Sequence, residues 1–187
     1  MPAATPPPEH LRHEVESVLI GETEIAGRVR ELAADIERDY AEKDLLMIAL
    51  LTGTVPFLAD LMRHIALPMR LDFMGVSSYG TGTAPGELVF TTELRLEAQD
   101  RDVLLVDDIL DTGQTLHAVQ AKLKDLHPRS LKTCVLLEKT SRRRETVTAN
   151  YVGFEVPDEF VVGYGLDYAE RFRNLPFIGV LKPEVYT

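Results

Sequence analysis

The strongest structural signal in this chain is the segment VLLVDDILDTGQT, which covers residues 103–115. It opens with four consecutive apolar residues, a pattern typical of a strand that is buried on both faces of a parallel sheet. Two carboxylates, Asp107 and Asp108, follow this run, and a third, Asp111, comes just before a turn of small residues. Because open α/β sheets bind their ligands beyond the carboxyl ends of the strands, we expect a binding site here.

The turn that begins at Asp111 has the composition of a phosphate-binding loop. It continues with Thr112, Gly113, Gln114 and Thr115, and a helix is predicted to begin within it. Unpaired backbone N–H groups and the dipole at the start of a helix both favour an anion. No lysine follows Gly113, so this is not the loop that binds nucleoside triphosphates. A phosphate monoester is the expected ligand.

The adjacent acids Asp107 and Asp108 indicate which molecule carries that phosphate. Carboxylates repel phosphate, whereas they accept hydrogen bonds from the vicinal hydroxyls of a sugar. Beside a phosphate-binding turn, the pair therefore predicts a ribose 5′-phosphate.

Two other interpretations explain parts of the same pattern. Receiver domains of response regulators also carry paired acids after a strand, but near the start of the chain, whereas about a hundred residues precede Asp107 here. The turn taken alone could reflect helix capping, because Asp and Thr are good N-caps. The three acids and the turn together favour a ligand site.

The composition argues against several classes of partner. The net charge is −10 and the sequence pI is about 5.0, which argues against nucleic acid or an anionic membrane as the main partner. No apolar run approaches the ~18 residues of a membrane span. The Pro-rich start, residues 1–8, lacks the basic and apolar regions of a signal peptide. The single cysteine, Cys134, lies in an apolar run, which suits a core position in a cytoplasmic protein.

Hydrophobic periodicity alternates between helical and strand patterns along the chain. Helical spacing of apolar residues predicts helices over residues 23–40, 55–65 and 112–126. Apolar or alternating runs predict strands over residues 45–51, 69–76, 87–93, 103–106, 131–138, 151–156 and 160–164. Residues 77–86 lack periodicity and have the composition of a polar lid loop. We expect an α/β fold with a mainly parallel sheet flanked by helices, organised as a disordered tail (1–10) and a single domain (11–187).

Two further segments have features of a binding site. The turn at Thr52 and Gly53 offers a second set of free N–H groups for an anion, although an ordinary helix cap explains it equally well when taken alone. Residues 153–168 are dense in glycine and aromatic residues, with Lys139 before them and Arg173 after them. They could supply a stacking surface, an orienting cation and an anion anchor, although aromatic residues are usually part of the core.

In this order, the motifs resemble those of the hypoxanthine–guanine phosphoribosyltransferases, which belong to the type I phosphoribosyltransferases. The resemblance extends from about Leu45 to Arg173, and its most specific part is FVVGYGLDY, residues 160–168. It implies the type I phosphoribosyltransferase fold, with a flexible lid loop and a small accessory hood region. It also implies a Mg²⁺-dependent purine salvage enzyme that transfers phosphoribosyl from phosphoribosyl diphosphate to a 6-oxopurine, hypoxanthine or guanine. A homodimer or homotetramer is the implied assembly.

The resemblance assigns roles to the matching residues of this sequence. Asp111 corresponds to the general acid/base that acts at the purine N7. Asp107 and Asp108 correspond to the acids that bind the ribose. The 5′-phosphate cradle corresponds to Asp111, Thr112, Gly113, Gln114 and Thr115. The diphosphate contacts correspond to Arg173, Gly53 and Thr52, and the bond before Thr52 is expected to be a cis peptide.

The remaining matches concern the base, the metal and the lid. Lys139 corresponds to the donor to the purine O6, which disfavours adenine because adenine presents an amino group at that edge. Phe160 corresponds to the stacking ring, and the Val161 backbone to the group that reads the far edge of the base. Asp167 corresponds to a residue of the purine site and to a magnesium ligand. Further metal contacts are expected from Asp107 and Asp108, and lid contacts from Ser78 and Tyr79.

Two positions depart from the family pattern, and two alternative functions stay open. Asp107 stands where the family commonly has glutamate, and Thr52 stands where it usually has lysine, which weakens the prediction of tight diphosphate binding. One alternative is a xanthine-preferring enzyme, because xanthine differs from guanine at the edge that backbone groups read. The other is a regulator of the same fold that binds nucleotide and RNA. The only dense basic run, residues 142–144, is interpreted as a solvated loop, so nucleic acid is not the expected partner.

Overall fold

The computed structural model describes residues 6–79 and 87–187 of the chain. Within these two ranges, the strands and helices alternate for most of the chain, as the periodicity predicts. None of the helices found there has the length and apolar character needed to cross a membrane. The predicted lid residues Ser78 and Tyr79 are described only as backbone, and residues 80–86 lie outside the described part.

The described elements are a short 3-10 helix at Glu9–Leu11, nine strands and four α-helices. The strands are β1 (Val15–Ile20), β2 (Leu45–Leu51), β3 (Arg70–Tyr79), β4 (Glu87–Thr92), β5 (Asp102–Leu110), β6 (Ser130–Glu138), β7 (Tyr151–Glu155), β8 (Val161–Val162) and β9 (Ile178–Leu181). The helices are α1 (Glu22–Tyr40), α2 (Val55–Arg63), α3 (Gln114–Lys124) and α4 (Pro183–Tyr186).

A six-stranded sheet in the order β4-β3-β2-β5-β6-β7 forms the centre of the fold. The pairs β3–β2, β2–β5, β5–β6 and β6–β7 are parallel, and only the edge strand β4 is antiparallel to its neighbour. The prediction of a mainly parallel sheet flanked by helices is therefore confirmed. Such a sheet brings the carboxyl ends of β2, β5 and β6 to one edge, where ligands bind in open α/β folds.

The side chains of β2 and β5 alternate between two hydrophobic clusters, one on each face of the sheet. Met47 and Leu104 belong to the cluster that also contains the apolar stripe of α1, whereas Ile48 and Leu105 belong to the cluster that contains Leu116 of α3. Helices cover both faces of the sheet, so side chains on both faces of these strands are buried. This explains why the sequences of the two strands contain continuous apolar runs.

A second, three-stranded sheet in the order β1-β9-β8 forms the small accessory region, the hood. Its strands are antiparallel, and Val15 near the start of the chain pairs with Leu181 near its end. Neither β1 nor β9 was predicted from the sequence. Their strand conformation depends on pairing between segments that are more than a hundred residues apart, which local periodicity does not report.

Several predicted boundaries are wrong, each for an identifiable reason. Strand β5 continues past Val106 to Leu110, because its parallel pairing with β6 continues, so Asp107 and Asp108 lie inside the strand. The predicted loop from residue 77 begins as strand, because residues 77–79 pair with β4. The predicted strand 160–164 shrinks to Val161–Val162, because Gly163 and the two residues after it have positive φ.

Candidate active site

A cavity of about 230 Å³ lies at the carboxyl ends of β2 and β5. Its walls are the end of β2, Val76 of β3, residues 107–113 and the first turn of α3. The three acids and the turn that the sequence singled out therefore surround one cavity, at the sheet edge where the sequence analysis expected a site.

The phosphate-binding turn is shaped by Gly113, the residue before α3. Gly113 has φ 87°, a left-handed conformation that residues with a side chain rarely adopt, so helix α3 begins two residues later than predicted. The turn is held from outside by the loop after β6. The Thr112 carbonyl accepts hydrogen bonds from the backbone N–H groups of Arg144 and Glu145, at 2.9 and 3.2 Å. This arrangement presents the start of α3 to the cavity, where an anion is favoured.

Asp111 has one carboxylate oxygen that lacks a partner. Its Oδ1 is buried and accepts no hydrogen bond within residues 6–79 and 87–187. Its Oδ2 lies 3.5 Å from Nη1 of Arg142. A buried acceptor without a donor is costly, so the position is suited to a ligand that brings an N–H group.

The adjacent acids Asp107 and Asp108 are held by short polar contacts. Oδ1 of Asp107 accepts hydrogen bonds from the backbone N–H of Asp108 at 3.0 Å and from the hydroxyl of Thr54 at 3.3 Å. Oδ1 of Asp108 accepts one from the backbone N–H of Ile109 at 2.8 Å.

Burial is the main influence on the ionisation of this pair. It raises the pKa of Asp107 well above its ordinary value, and the neighbouring charge of Asp108 raises it further. Burial also raises the pKa of Asp108, although the hydrogen bond from Ile109 and the charge of Arg173 partly oppose this. Ionisation of both carboxyl groups is therefore unfavourable in the free site. Hydroxyl or cationic groups of a ligand would lower the free-energy cost of that ionisation.

The turn at Thr52 and Gly53 packs directly against the acids and the C-terminal segment. The bond between Leu51 and Thr52 is a cis peptide, as the resemblance implied. A β-carbon on Gly165 would lie 1.8 Å from the carbonyl oxygen of Gly53, so this contact requires glycine at residue 165. The side chain of Thr52 is exposed.

The purine-binding candidates lie on the segment that follows β6 and on the hood. Lys139 is buried, and its backbone N–H donates to the Leu110 carbonyl at 2.9 Å, which ties it to the end of β5. Its Nζ donates to the Glu159 carbonyl at 2.7 Å. Phe160 is 36% exposed, and its ring stacks on Tyr186 with centroids 4.7 Å apart.

Asp167 and Arg173 form an ion pair, with Nη2 of Arg173 2.9 Å from Oδ1 of Asp167. Nη1 of Arg173 donates to the Gly165 carbonyl at 2.9 Å, and Glu170 Oε2 is 3.2 Å from Nη2. Because Gly165 contacts Gly53, this pair is linked through two backbone segments to the turn at Thr52.

Arg142 also contacts the site, which no sequence motif predicted. Its guanidinium lies between two carboxylates, 3.5 Å from Asp111 and 3.7 Å from Asp158. Arg143 pairs with Glu138 at 2.5 Å and donates to the Val147 carbonyl at 2.9 Å. Residues 142–144 lie in a loop, as predicted, and the Arg142 side chain is 47% exposed, but Arg142 and Arg143 also pair with carboxylates of the protein. Their closeness to Lys139 in the chain was the only sequence signal that they lie at the site.

The sequence model of the family described as "Phosphoribosyl transferase domain" matches residues 20–169. A hypoxanthine-guanine phosphoribosyltransferase from Bacillus subtilis is 48% identical over 177 residues, which cover 94% of this chain and 98% of that protein. The chain belongs to the hypoxanthine–guanine phosphoribosyltransferase family.

Solved structures of this family share the fold along nearly the whole chain. A crystal structure of a hypoxanthine phosphoribosyltransferase from Staphylococcus aureus has a TM-score of 0.91 and 42% identity, covering 96% of this chain and 98% of that one. A mutant hypoxanthine phosphoribosyltransferase from Trypanosoma cruzi, in a ternary substrates complex, has a TM-score of 0.87 and 40% identity, covering 92% of this chain and 98% of that one. The type I phosphoribosyltransferase fold that the sequence predicted is therefore confirmed.

The carboxylates of this phosphoribosyltransferase suit a metal that the substrate helps to bind. Among the described residues, no group of three or more His, Cys, Asp or Glu side chains is placed to hold a metal ion by itself. Mg²⁺ is commonly held by one or two carboxylates, with water and substrate phosphate oxygens completing its six positions. Asp107 and Asp108 on β5, and Asp167 on the C-terminal segment, each offer carboxylate oxygens, the kind of ligand that Mg²⁺ prefers.

Proposed function

We propose that this enzyme transfers the 5-phosphoribosyl group from phosphoribosyl diphosphate to hypoxanthine or guanine, forming IMP or GMP and diphosphate in purine salvage. The observation that carries this proposal is the unpartnered, buried Oδ1 of Asp111 beside the phosphate-binding turn. A proton acceptor next to a ribose 5′-phosphate site is what transfer to a purine requires. Family membership supports the reaction class.

The phosphoribosyl group is bound by the turn and the acid pair. The backbone N–H groups of Thr112, Gly113, Gln114 and Thr115 bind the 5′-phosphate at the start of α3, where the helix dipole favours it. Asp107 and Asp108 accept hydrogen bonds from the ribose hydroxyls. Both acids are held by backbone N–H donors, so they are already oriented before the substrate arrives.

The purine is bound between the end of β5 and the hood. Lys139 donates to the purine O6, Phe160 stacks on the ring, and the Val161 backbone reads the far edge. As N9 attacks C1′, the bond from C1′ to diphosphate breaks and diphosphate leaves. The proton on N7 passes to Asp111, which acts as general base. Ser78 and Tyr79 form the lid that excludes water from the electron-poor C1′.

A bound Mg²⁺ would supply positive charge that offsets the charge of the diphosphate leaving group. Asp167, together with Asp107 and Asp108, would hold it. Arg173 contacts the diphosphate directly, and the N–H groups of the turn at Thr52 and Gly53 add neutral donors. Thr52 provides no cation. Arg173 therefore accounts for more of the electrostatic attraction for the diphosphate than it would if residue 52 were a lysine.

The test is a diphosphate-release assay with phosphoribosyl diphosphate and Mg²⁺, in which hypoxanthine, guanine, xanthine and adenine are offered separately. We expect turnover with hypoxanthine and guanine, and a kcat about 10²- to 10⁴-fold lower in Asp111→Asn, the usual cost of losing a general base. Asp125→Asn, which makes the same change on the exposed end of α3, is the matched control.

Two results would contradict this proposal in different ways. Fastest turnover with xanthine would identify a xanthine-preferring enzyme. Tight binding of a nucleoside monophosphate without turnover of any base would identify a nucleotide-binding regulator.

We also propose that the protein is a cytoplasmic homodimer or homotetramer. The buried single cysteine, Cys134, fits a reducing compartment. An apolar groove between α2 and β3 includes Leu51 and Val55, which are 38% and 43% exposed, and a second copy would cover them. In sedimentation velocity, Val55→Glu should shift the protein towards the monomer. Val89→Glu, at a comparably exposed position of β4, should not. A monomeric unmodified protein would contradict the assembly.

A further inference from the structure

The segment 167–173 has an unusual backbone for a stretch without glycine. Ala169, Glu170 and Phe172 have φ values of 49°, 60° and 77°, all in the left-handed region. A residue with a side chain adopts this region at a cost in free energy, and several in one segment persist only where tertiary contacts impose them. The two ends of the segment are Asp167 and Arg173, the proposed metal and diphosphate residues.

Contacts within the segment account for part of this conformation. Tyr168 and Arg171 exchange two backbone hydrogen bonds, at 3.2 and 3.0 Å. The backbone N–H of Glu170 donates to Oδ2 of Asp167 at 3.0 Å. Phe172 is buried in a small hydrophobic cluster with Val162 and Leu181, elements of the accessory sheet.

A further anchor comes from Glu14, near the other end of the chain, in addition to the backbone hydrogen bond that Gly165 N–H donates to the Arg173 carbonyl at 2.9 Å. Nη2 of Arg171 lies 2.7 Å from Oε1 and 2.9 Å from Oε2 of Glu14. The Glu14 side chain is only 15% exposed, and its carbonyl accepts a hydrogen bond from the Lys182 backbone at 2.9 Å, just before β1 pairs with β9. Glu14 is therefore fixed to the accessory sheet independently of Arg171.

The position of this ion pair matters more than its strength. The Arg171 side chain is 58% exposed, and ion pairs of that kind contribute little to the free energy of unfolding. Arg171 is, however, the only residue between Glu170 and Phe172, both of which have left-handed backbones. The contact of Arg171 with Glu14 therefore affects the path of the backbone between Asp167 and Arg173.

We propose that Glu14 is a positioning residue for the diphosphate site, acting through Arg171. It holds the segment 167–173 so that Arg173 and Asp167 face the turn at Gly53, and the proposal rests on the roles of these two residues in the proposed function. Glu14, which lies in the segment before β1, thereby influences the diphosphate site without contacting the substrate. Its effect should be larger for phosphoribosyl diphosphate than for the purine, because Lys139 and Phe160, the proposed O6 donor and stacking ring, lie outside the segment 167–173.

The experiment compares Glu14→Gln and Arg171→Gln with the charge-swapped double variant Glu14→Arg/Arg171→Glu. Glu16→Gln, an exposed glutamate on β1, is the matched control. The readouts are kcat, the KM values for both substrates, the melting temperature, and the affinity for phosphoribosyl diphosphate with Mg²⁺ measured by titration calorimetry. The calorimetric arm needs no turnover.

We expect both single variants to raise the KM and the Kd for phosphoribosyl diphosphate by about three- to tenfold, the size of effect typical of residues that act through another residue. The KM for hypoxanthine and the melting temperature should stay close to those of the unmodified protein. The charge-swapped variant should recover most of the affinity, and Glu16→Gln should not differ from the unmodified protein.

Unchanged affinity for phosphoribosyl diphosphate in both single variants overturns the proposal, whether or not the melting temperature falls. Equal losses for both substrates also overturn it, because they indicate a general structural role. If the unmodified protein turns over no base, the proposed function fails, and the calorimetric comparison still decides the role of Glu14. If phosphoribosyl diphosphate does not bind at all, both proposals fail.

Discussion

Gly53 packs against Asp108 so closely that a β-carbon on Gly53 would lie 1.8 Å from the carboxylate Oδ2 of Asp108. Real β-carbons do not approach other atoms this closely, so any side chain at residue 53 must displace the acid. The diphosphate turn and the ribose acids are therefore one packed unit, although Gly53 and Asp108 are 55 positions apart in the chain.

Gly53→Ala should lower kcat/KM by about a hundredfold or more, because a displacement near 1 Å at a reacting centre has this effect. The matched control is Gly27→Ala in α1, where a β-carbon would meet nothing within 4 Å. Gly27→Ala should keep full activity and gain about 0.5–1 kcal/mol in the free energy of unfolding, since alanine is the better helix former. Steady-state kinetics and urea unfolding measure both effects. Full activity of Gly53→Ala would show that Asp108 has no fixed role.

Asp107→Asn should stabilise the free protein at neutral pH while lowering its activity. Burial raises the pKa of Asp107, so ionisation is harder in the folded state than in the unfolded state. The resulting penalty on folding is absent below the unfolded pKa, near pH 4, and grows as the pH rises towards the folded pKa. At pH 7.5, without Mg²⁺ or substrate, we expect a gain of about 0.5–2 kcal/mol in the free energy of unfolding.

The same comparison at pH 4 should show a smaller gain, and Asp125→Asn should show none at either pH. Urea unfolding of the three proteins at both pH values measures this. An Asp107→Asn variant less stable than the unmodified protein at pH 7.5 would mean that ionised Asp107 contributes to folding.

Ionisation of Asp72 should stabilise the folded protein, the opposite of the effect expected for Asp107, although Asp72 too is buried. Burial alone would raise its pKa, but hydrogen bonds from the backbone N–H groups of Leu96, Phe73 and Arg95 outweigh that effect and hold the pKa below its ordinary value. The stability that ionised Asp72 contributes is present above the unfolded pKa, near pH 4, and is lost as the pH falls through the lower, folded pKa.

Asp72→Asn should therefore cost about 2–4 kcal/mol in the free energy of unfolding at pH 7.5, because an amide replaces a carboxylate that accepts three backbone hydrogen bonds. Asp35→Asn, at an exposed ion pair of α1, should change it by less than about 0.5 kcal/mol. Urea unfolding between pH 2.5 and 7.5 gives both values. A cost that stays constant over this range would show that the charge of Asp72 is not involved.

Lys139→Gln should lower kcat/KM for hypoxanthine about 10- to 100-fold, the range expected when a charged hydrogen bond of about 1.5–3 kcal/mol is lost. The preference for hypoxanthine over adenine should fall as well, because glutamine can both donate and accept a hydrogen bond. Lys124→Gln, on the exposed end of α3, is the control for the change of charge. Unchanged discrimination between the two bases would place the recognition of O6 on another group.

The parts of the fold that the sequence predicted well are those determined by local pattern. Strand β2 has the predicted bounds, Leu45–Leu51, because a short run of apolar residues between polar segments is compatible with few structures other than a buried strand. Helix α1 begins one residue before the predicted start, at Glu22, because the spacing of its apolar residues is regular. The acids and the phosphate-binding turn were also found from the sequence, since a buried strand that leads into acids and a Gly turn is a local signal.

Other features depend on partners that are distant in the chain. Strand β1 pairs with β9, and neither has a pattern that distinguishes it from a loop. The left-handed residues after Val162 shorten β8, and nothing in the composition of Tyr164 or Phe172 predicts a positive φ. The contact of Arg142 with Asp111 likewise requires the loop after β6 to cross the phosphate-binding turn.

The sequence by itself thus determined the type of each main element, the sheet edge at which the site lies, and the chemical groups available there. Burial periodicity and the chemistry of a turn act over a few residues, so they can be read without knowledge of the fold. Only the tertiary structure decided that Glu14 contacts Arg171, that Gly53 contacts Asp108 and Gly165, and that Oδ1 of Asp111 is left without a partner. These relationships join residues far apart in the chain, and their geometry depends on how the two sheets and the connecting segments pack together.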